Sequence, residues 1–226
     1  MSADRILLLG GTREAVALAA KLVAEGHDVT TSLAGRTKEP REVKGKLRVG
    51  GFGGANGLAQ WIAENHITRL IDATHPFAET ISRNASLAAK ATGVVFERNQ
   101  RQIWQPVEGD VWHSVADLKS AAANLRAGST VLLALGSQYL EAFENRTNVR
   151  FIIRMIDPPV HDLAFADFKL VLSRPSAEAE IEEAFLKANN VDTIVCRNSG
   201  GAGAYAKIEA ARLLNIPVVM VKRPKS

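Results

Sequence analysis

The feature that most constrains this 226-residue chain lies near its start: the apolar run Ile6-Leu7-Leu8-Leu9 stops at Gly10-Gly11, and a helical pattern begins at once. A strand that turns through glycine straight into a helix opens a βαβ unit, and such units close into a parallel sheet. Residues 12–25 carry Ala15, Leu18, Ala19, Leu22 and Val23 at helical spacing, with Gly26 at the stop position. Runs at 5–9, 28–33, 46–49, 69–73 and 94–97 predict strands. Phe77, Ile81, Ala85, Ala88 and Ala89, closed by Gly93, predict a helix over 77–92.

Around 98–112 the alternation lapses into Arg98-Asn99-Gln100-Arg101-Gln102, Pro106 and Gly109, a composition suited to a connection between domains. The boundaries expected are 1–98 and 99–226. After the lapse, Ser114 with Asp117 reads as a capping box opening a helix to about residue 126. Strands follow at 130–135, 149–155, 169–172, 193–197 and 217–222, with a loop at 156–168 around Pro158-Pro159. The fold class expected is α/β, with two similar domains, mainly parallel sheets and an inter-domain cleft.

Cys196 is the only cysteine, which excludes an intramolecular disulfide framework and a cysteine-based metal site; no metal is expected. Lys and Arg number 28 against 24 Asp and Glu, a balance compatible with an acidic ligand. The charges are spread through helices and aromatics make up 6%, so no nucleic-acid partner is expected. No segment approaches the roughly 18 uncharged apolar residues of a membrane span, and no secretory signal is visible, so a cytoplasmic location without membrane association is expected.

Ligands of open parallel sheets bind beyond the carboxyl ends of the strands, which directs attention to the loops there. Gly10-Gly11-Thr12-Arg13 stands where backbone amides and a helix start can receive phosphate, although the full G-x-G-x-x-G spacing is missing and a ligand-free turn competes. The next strand ends in Ser32-Leu33-Ala34-Gly35-Arg36-Thr37, with a guanidinium and hydroxyls where an NAD enzyme places a carboxylate; this favours NADPH. In Asp72-Ala73-Thr74-His75-Pro76-Phe77-Ala78, His75 can contact cofactor or donate a proton, while Thr74 can simply cap the helix. Gly50, Gly51, Gly53 and Gly54 surround Phe52 in a loop that suits close approach of a ligand and a flexible turn equally. Ser137 follows one later strand, and Arg174, a possible carboxylate clamp, follows another. In Asn198-Ser199-Gly200-Gly201-Ala202-Gly203-Ala204-Tyr205-Ala206-Lys207 a second glycine loop brings amides, a phenol and an ammonium together, without the Tyr-x-x-x-Lys spacing of a short-chain dehydrogenase.

Taken in order, Ile6 to Thr12, Ser32 to Thr37, Asp72 to Ala78 and Asn198 to Val221 resemble the precorrin-6A reductase family over nearly the whole chain. The resemblance implies two Rossmann-like domains and hydride transfer from NADPH to a double bond of a polycarboxylate tetrapyrrole in cobalamin biosynthesis. It covers precorrin-6A and cobalt-precorrin-6A alike. By the same resemblance Gly10, Gly11, Thr12 and Arg13 cradle the pyrophosphate; Ser32, Arg36 and Thr37 hold the 2′-phosphate; Thr74 and His75 lie near the nicotinamide. Arg174, Ser137, Ser199, Gly200, Gly201 and Lys207 face the macrocycle, and Lys207, Tyr205 or His75 donates the proton. A reductase of another small acidic substrate and a non-catalytic NADP(H) sensor are the competing readings.

Overall fold

The computed structural model describes residues 3–35 and 42–224, and the chain divides into two compact units, Met1–Arg101 and Gln102–Ser226. The first holds β1 (Arg5–Leu9), α1 (Arg13–Ala24), β2 (Asp28–Leu33), β3 (Lys46–Val49), α2 (Gly54–Glu64), β4 (Arg69–Asp72), α3 (Glu79–Thr92) and β5 (Val95–Arg98). Its sheet has the order β3-β2-β1-β4-β5, every pairing parallel. β1 is central and buried on both faces: Ile6 and Leu8 pack toward Ala15, Ala19 and Leu22 of α1, whereas Leu7 and Leu9 pack toward Leu58 and Ile62 of α2 and Ala85 and Ala88 of α3. Each such fully buried leucine contributes about 1.5–3 kcal/mol.

The second unit holds β6 (Trp112–Val115), α4 (Leu118–Ala123), β7 (Thr130–Ala134), β8 (Arg150–Met155), β9 (Phe168–Leu172), α5 (Ala179–Ala188), β10 (Thr193–Arg197), α6 (Ala206–Leu213) and β11 (Val218–Val221). Its sheet runs β6-β11-β10-β7-β8-β9, again with every pairing parallel. The α/β class and the parallel sheets are therefore as expected. No helix of the described residues is long and apolar enough to cross a membrane.

Three local expectations are corrected. The helix over 77–92 starts at Glu79, because residues 75–78 form a turn in which the Ala78 amide donates to the His75 carbonyl at 2.7 Å. Thr74 does not cap that helix; its hydroxyl bonds Asp72. Ser114 lies in β6, an edge strand absent from the sequence-based reading, and Asp117 is itself the cap of α4, accepting from the Ser120 amide at 2.7 Å.

Strand order decides which loops matter. In the first sheet the chain leaves neighbouring β1 and β4 toward opposite edges, and in the second it does so at β7 and β10. At such a switch point the two departing loops diverge and leave room for a ligand beyond the strand ends.

Candidate functional site

At the first switch point, Gly11 has φ +108°, a conformation that side chains other than glycine rarely adopt, and a Cβ built there would meet nothing within 4 Å. The space beside the turn is therefore open. A Cβ on Gly10 would instead come within 3.0 Å of Thr31 Cγ2, so that glycine serves the close approach of loop and sheet. The Gly10 amide is consumed by the Ser32 carbonyl at 2.9 Å. The amides at the start of α1 have no intrahelical partner, and the positive end of the helix dipole lies with them. Thr12 caps α1, accepting from the Ala15 amide at 3.1 Å, and its hydroxyl also donates to the Ala73 carbonyl at 3.1 Å. One buried side chain thus joins the two loops of the switch point. Arg13 is exposed beside them.

The β4 loop is organised by Asp72, which is 4% exposed. Its Oδ1 accepts from the Thr74 amide at 3.1 Å and hydroxyl at 2.6 Å, its Oδ2 accepts from Ser82 Oγ at 2.5 Å, and Arg98 Nε lies 3.7 Å away. His75 follows in a half-buried turn, where its Nδ1 accepts from the Phe77 amide at 3.3 Å. A neutral imidazole so placed carries its proton on Nε2.

Beyond β2, Ser32 is buried and Arg36 and Thr37 lie outside the described residues. Sequence reasoning passed over Arg48, which pairs in register with Ser32 from the neighbouring strand. Its only signal in the sequence was an arginine set two residues before the glycine-rich stretch 50–54.

In the second unit, Asn198 clamps the backbone of Trp104, accepting from its amide and donating to its carbonyl, both at 2.9 Å. The Trp104 indole donates to the Gly201 carbonyl at 2.8 Å, and Arg223 donates to the Ser199 carbonyl at 3.1 Å. Gly200 has φ +65°, and a Cβ there would stand 2.1 Å from the Gln102 carbonyl oxygen. The loop is therefore built tightly against the 102–104 segment. Lys207, 6% exposed, donates to the Ala204 carbonyl at 2.6 Å and lies 5.3 Å from the centre of the Trp104 ring. Burial pushes its ammonium down from the ordinary lysine value, with Glu182 opposing and Arg154 adding to the shift. Tyr205 accepts at its hydroxyl from Arg212 at 2.8 Å, and Arg212 is paired with Asp110 at 2.9 Å.

The switch point between β7 and β10 brings the exposed Ser137 to the same strand ends as Ser199, Gly200, Gly201, Tyr205 and Lys207. Arg174 does not share that place. It is exposed after edge strand β9, three strands from β10, or roughly 14 Å at about 4.8 Å per strand. Cys196 is buried beneath the loop, and desolvation pushes its thiol up, away from reactivity.

Comparison with known proteins gives a consistent assignment. The family model of precorrin-6x reductase CbiJ/CobK matches residues 5–226. A precorrin-6A reductase from Sinorhizobium sp is 45% identical over 230 residues, covering 100% of this chain and 87% of that protein. A cobalt-precorrin-6A reductase from Priestia megaterium is 28% identical over 233 residues, covering 97% and 91% respectively. The solved structure of a CobK precorrin-6A reductase superposes with a TM-score of 0.95 at 38% identity, covering 98% of this chain and 89% of that one.

Proposed function

The chain belongs to the precorrin-6x reductase family and is an oxidoreductase of cobalamin biosynthesis acting on a CH–CH bond; on that premise we propose that it reduces a double bond of precorrin-6A with NADPH. The observation that carries the cofactor reading is the turn at Gly10-Gly11-Thr12, open above Gly11 and placed at a switch point, with no carboxylate in the stretch from Ser32 to Thr37. These residues fit a dinucleotide: the first amides of α1 and Arg13 receive the pyrophosphate, and Ser32, Arg36 and Thr37 receive the 2′-phosphate. Thr74 and His75 border the nicotinamide. When bound, the nicotinamide supplies the hydride.

In the second unit Ser137, Ser199, Gly200 and Gly201 present hydroxyls and amides to the carboxylates of the tetrapyrrole, and Arg174 meets a carboxylate at the outer edge. Lys207 supplies the proton that the neighbouring ring carbon needs. Its lowered pKa makes it a stronger acid than an ordinary lysine, and it stands at the same loop; the phenol of Tyr205 is already engaged by Arg212. The higher identity to the relative named for precorrin-6A than to the one named for the cobalt form supports the metal-free macrocycle.

Equilibrium binding tests the cofactor reading. NADPH is expected to bind at least about tenfold more tightly than NADH, since hydrogen bonds to a charged group contribute roughly 1.5–3 kcal/mol. Arg36→Glu is expected to narrow that preference by weakening NADPH while leaving NADH affinity unchanged. Equal affinity of the unaltered protein for both dinucleotides would defeat the reading.

A further inference from the structure

We propose that Arg48 is a determinant of cofactor specificity, supplying the fixed positive charge that recognises a 2′-phosphomonoester beyond β2; the inference rests on the NADPH reading above. Arg48 sits one residue from the end of β3 and pairs in register with Ser32. Its Nη1 donates to the Gly50 carbonyl at 2.6 Å and to Ser32 Oγ at 3.4 Å, and its Nη2 donates to the Gly51 carbonyl at 2.8 Å. The Phe52 ring covers one face of the guanidinium, with its centre 3.7 Å from the central carbon. The side chain is thus half-buried and held on several sides, so little conformational entropy remains to be lost when an anion arrives.

Charge balance points to that anion. Arg69, Arg98 and Arg101 of the same unit each have a carboxylate within 4 Å, namely Glu97, Asp72 and Glu14. Among the described residues Arg48 has none: it meets neutral carbonyl and hydroxyl oxygens and an aromatic face. Its three hydrogen bonds use three of the five guanidinium donors, which leaves the Nε–H and one Nη2–H for a further acceptor. A phosphate oxygen bonded to the Ser32 hydroxyl would lie within reach of the Arg48 fork, because those two groups are already 3.4 Å apart. A dianionic phosphomonoester suits this arrangement, whereas the uncharged ribose hydroxyls of NADH leave the charge unbalanced.

Titration calorimetry on the purified protein without substrate tests this, with NADPH, NADH, adenosine 2′,5′-bisphosphate and 5′-AMP as probes. Arg48→Gln is expected to weaken NADPH and the bisphosphate roughly 10- to 100-fold, and NADH and 5′-AMP by less than about twofold. Arg48→Lys, which keeps the charge and loses the fork, is expected to fall between. Equal weakening of all four probes would reduce Arg48 to a support of the Gly50-Gly51 turn and overturn the proposal, as would no change in any. An unaltered protein with no preference for NADPH would overturn the underlying cofactor reading as well. A preference untouched by Arg48→Gln would overturn the role of Arg48 alone.

Discussion

Lys207→Met is expected to lower turnover by about two to four orders of magnitude, the range that a positioned proton donor contributes, while leaving NADPH affinity unchanged. The isosteric stem of methionine fills the same buried space, so loss of folding is not the expected cause. The ammonium is held by the Ala204 carbonyl under the glycine loop, and burial lowers its pKa. Only the protonated amine can donate, so kcat is expected to fall as pH rises through that lowered pKa, below the range of an ordinary lysine. The residual activity of the methionine variant should lack this limb. Stability has the opposite slope. The unfolded chain holds the Lys207 proton to higher pH than the folded one, so between the lowered value and the ordinary lysine value the unfolded state binds more protons. Folding stability then rises with pH across that window, and Lys207→Met should flatten the rise. Turnover within about threefold of the unaltered protein would remove Lys207 as donor and shift the role to Tyr205 or His75.

Glu182→Leu is expected to cost about 3–5 kcal/mol in chemical denaturation, and Arg154→Met/Glu182→Leu to recover most of that loss. Glu182 on α5 is 1% exposed and Arg154 on β8 is 8% exposed. The two side chains form a bidentate pair at 2.8 and 2.7 Å, with the Arg154 guanidinium 3.9 Å from the centre of the Phe185 ring. Removing only the carboxylate leaves a guanidinium uncompensated in the apolar layer beneath α5. Removing both charges leaves a hydrophobic contact of similar volume. Glu182 also accepts from the Ser176 amide at 2.8 Å, fixing the loop that carries Arg174, so the double variant should regain stability yet bind the macrocycle less well. A single variant that loses less than 1 kcal/mol, or a double variant as unstable as the single, would show that the pair is not a coupled buried unit.

Strands buried on both faces read as continuous apolar runs, so Ile6 to Leu9, Val131 to Leu133, Ile194 to Cys196 and Val218 to Val221 were visible in the sequence. Trp112-His113-Ser114-Val115 was not. It is a short edge strand whose middle residues are exposed, and nothing in its composition separates it from a loop. The α3 start was misplaced for a related reason: apolar spacing extends to Phe77, but the turn at 75–78 is set by hydrogen bonds that leave no trace in hydrophobic periodicity.

The candidate site divides in the same way. Glycine loops that follow a strand and precede a helix carry their own geometry, so Gly10-Gly11-Thr12 and Asn198 to Lys207 could be located from spacing alone. Partners that meet across elements far apart in the chain could not. Arg48 meets Ser32, 16 residues away, through sheet register and a side-chain hydrogen bond, and Arg154 on β8 meets Glu182 on α5, 28 residues away. An arginine inside Phe151-Ile152-Ile153-Arg154-Met155 was the available hint, since a charge in so apolar a run needs a partner. Strand order was equally hidden: nothing in the sequence places β9, the strand that leads into Arg174, at the sheet edge three strands from β10.

Reduction of precorrin-6A by NADPH is tested by following NADPH absorbance during anaerobic incubation of the purified protein with precorrin-6A, with NADH and cobalt-precorrin-6A as comparisons. Loss of the reduced-cofactor signal with NADPH and precorrin-6A, and much slower loss with NADH or with the cobalt macrocycle, is the predicted result. Binding of NADPH without oxidation by either macrocycle would contradict it and point to a nucleotide sensor or a reductase of another acidic substrate.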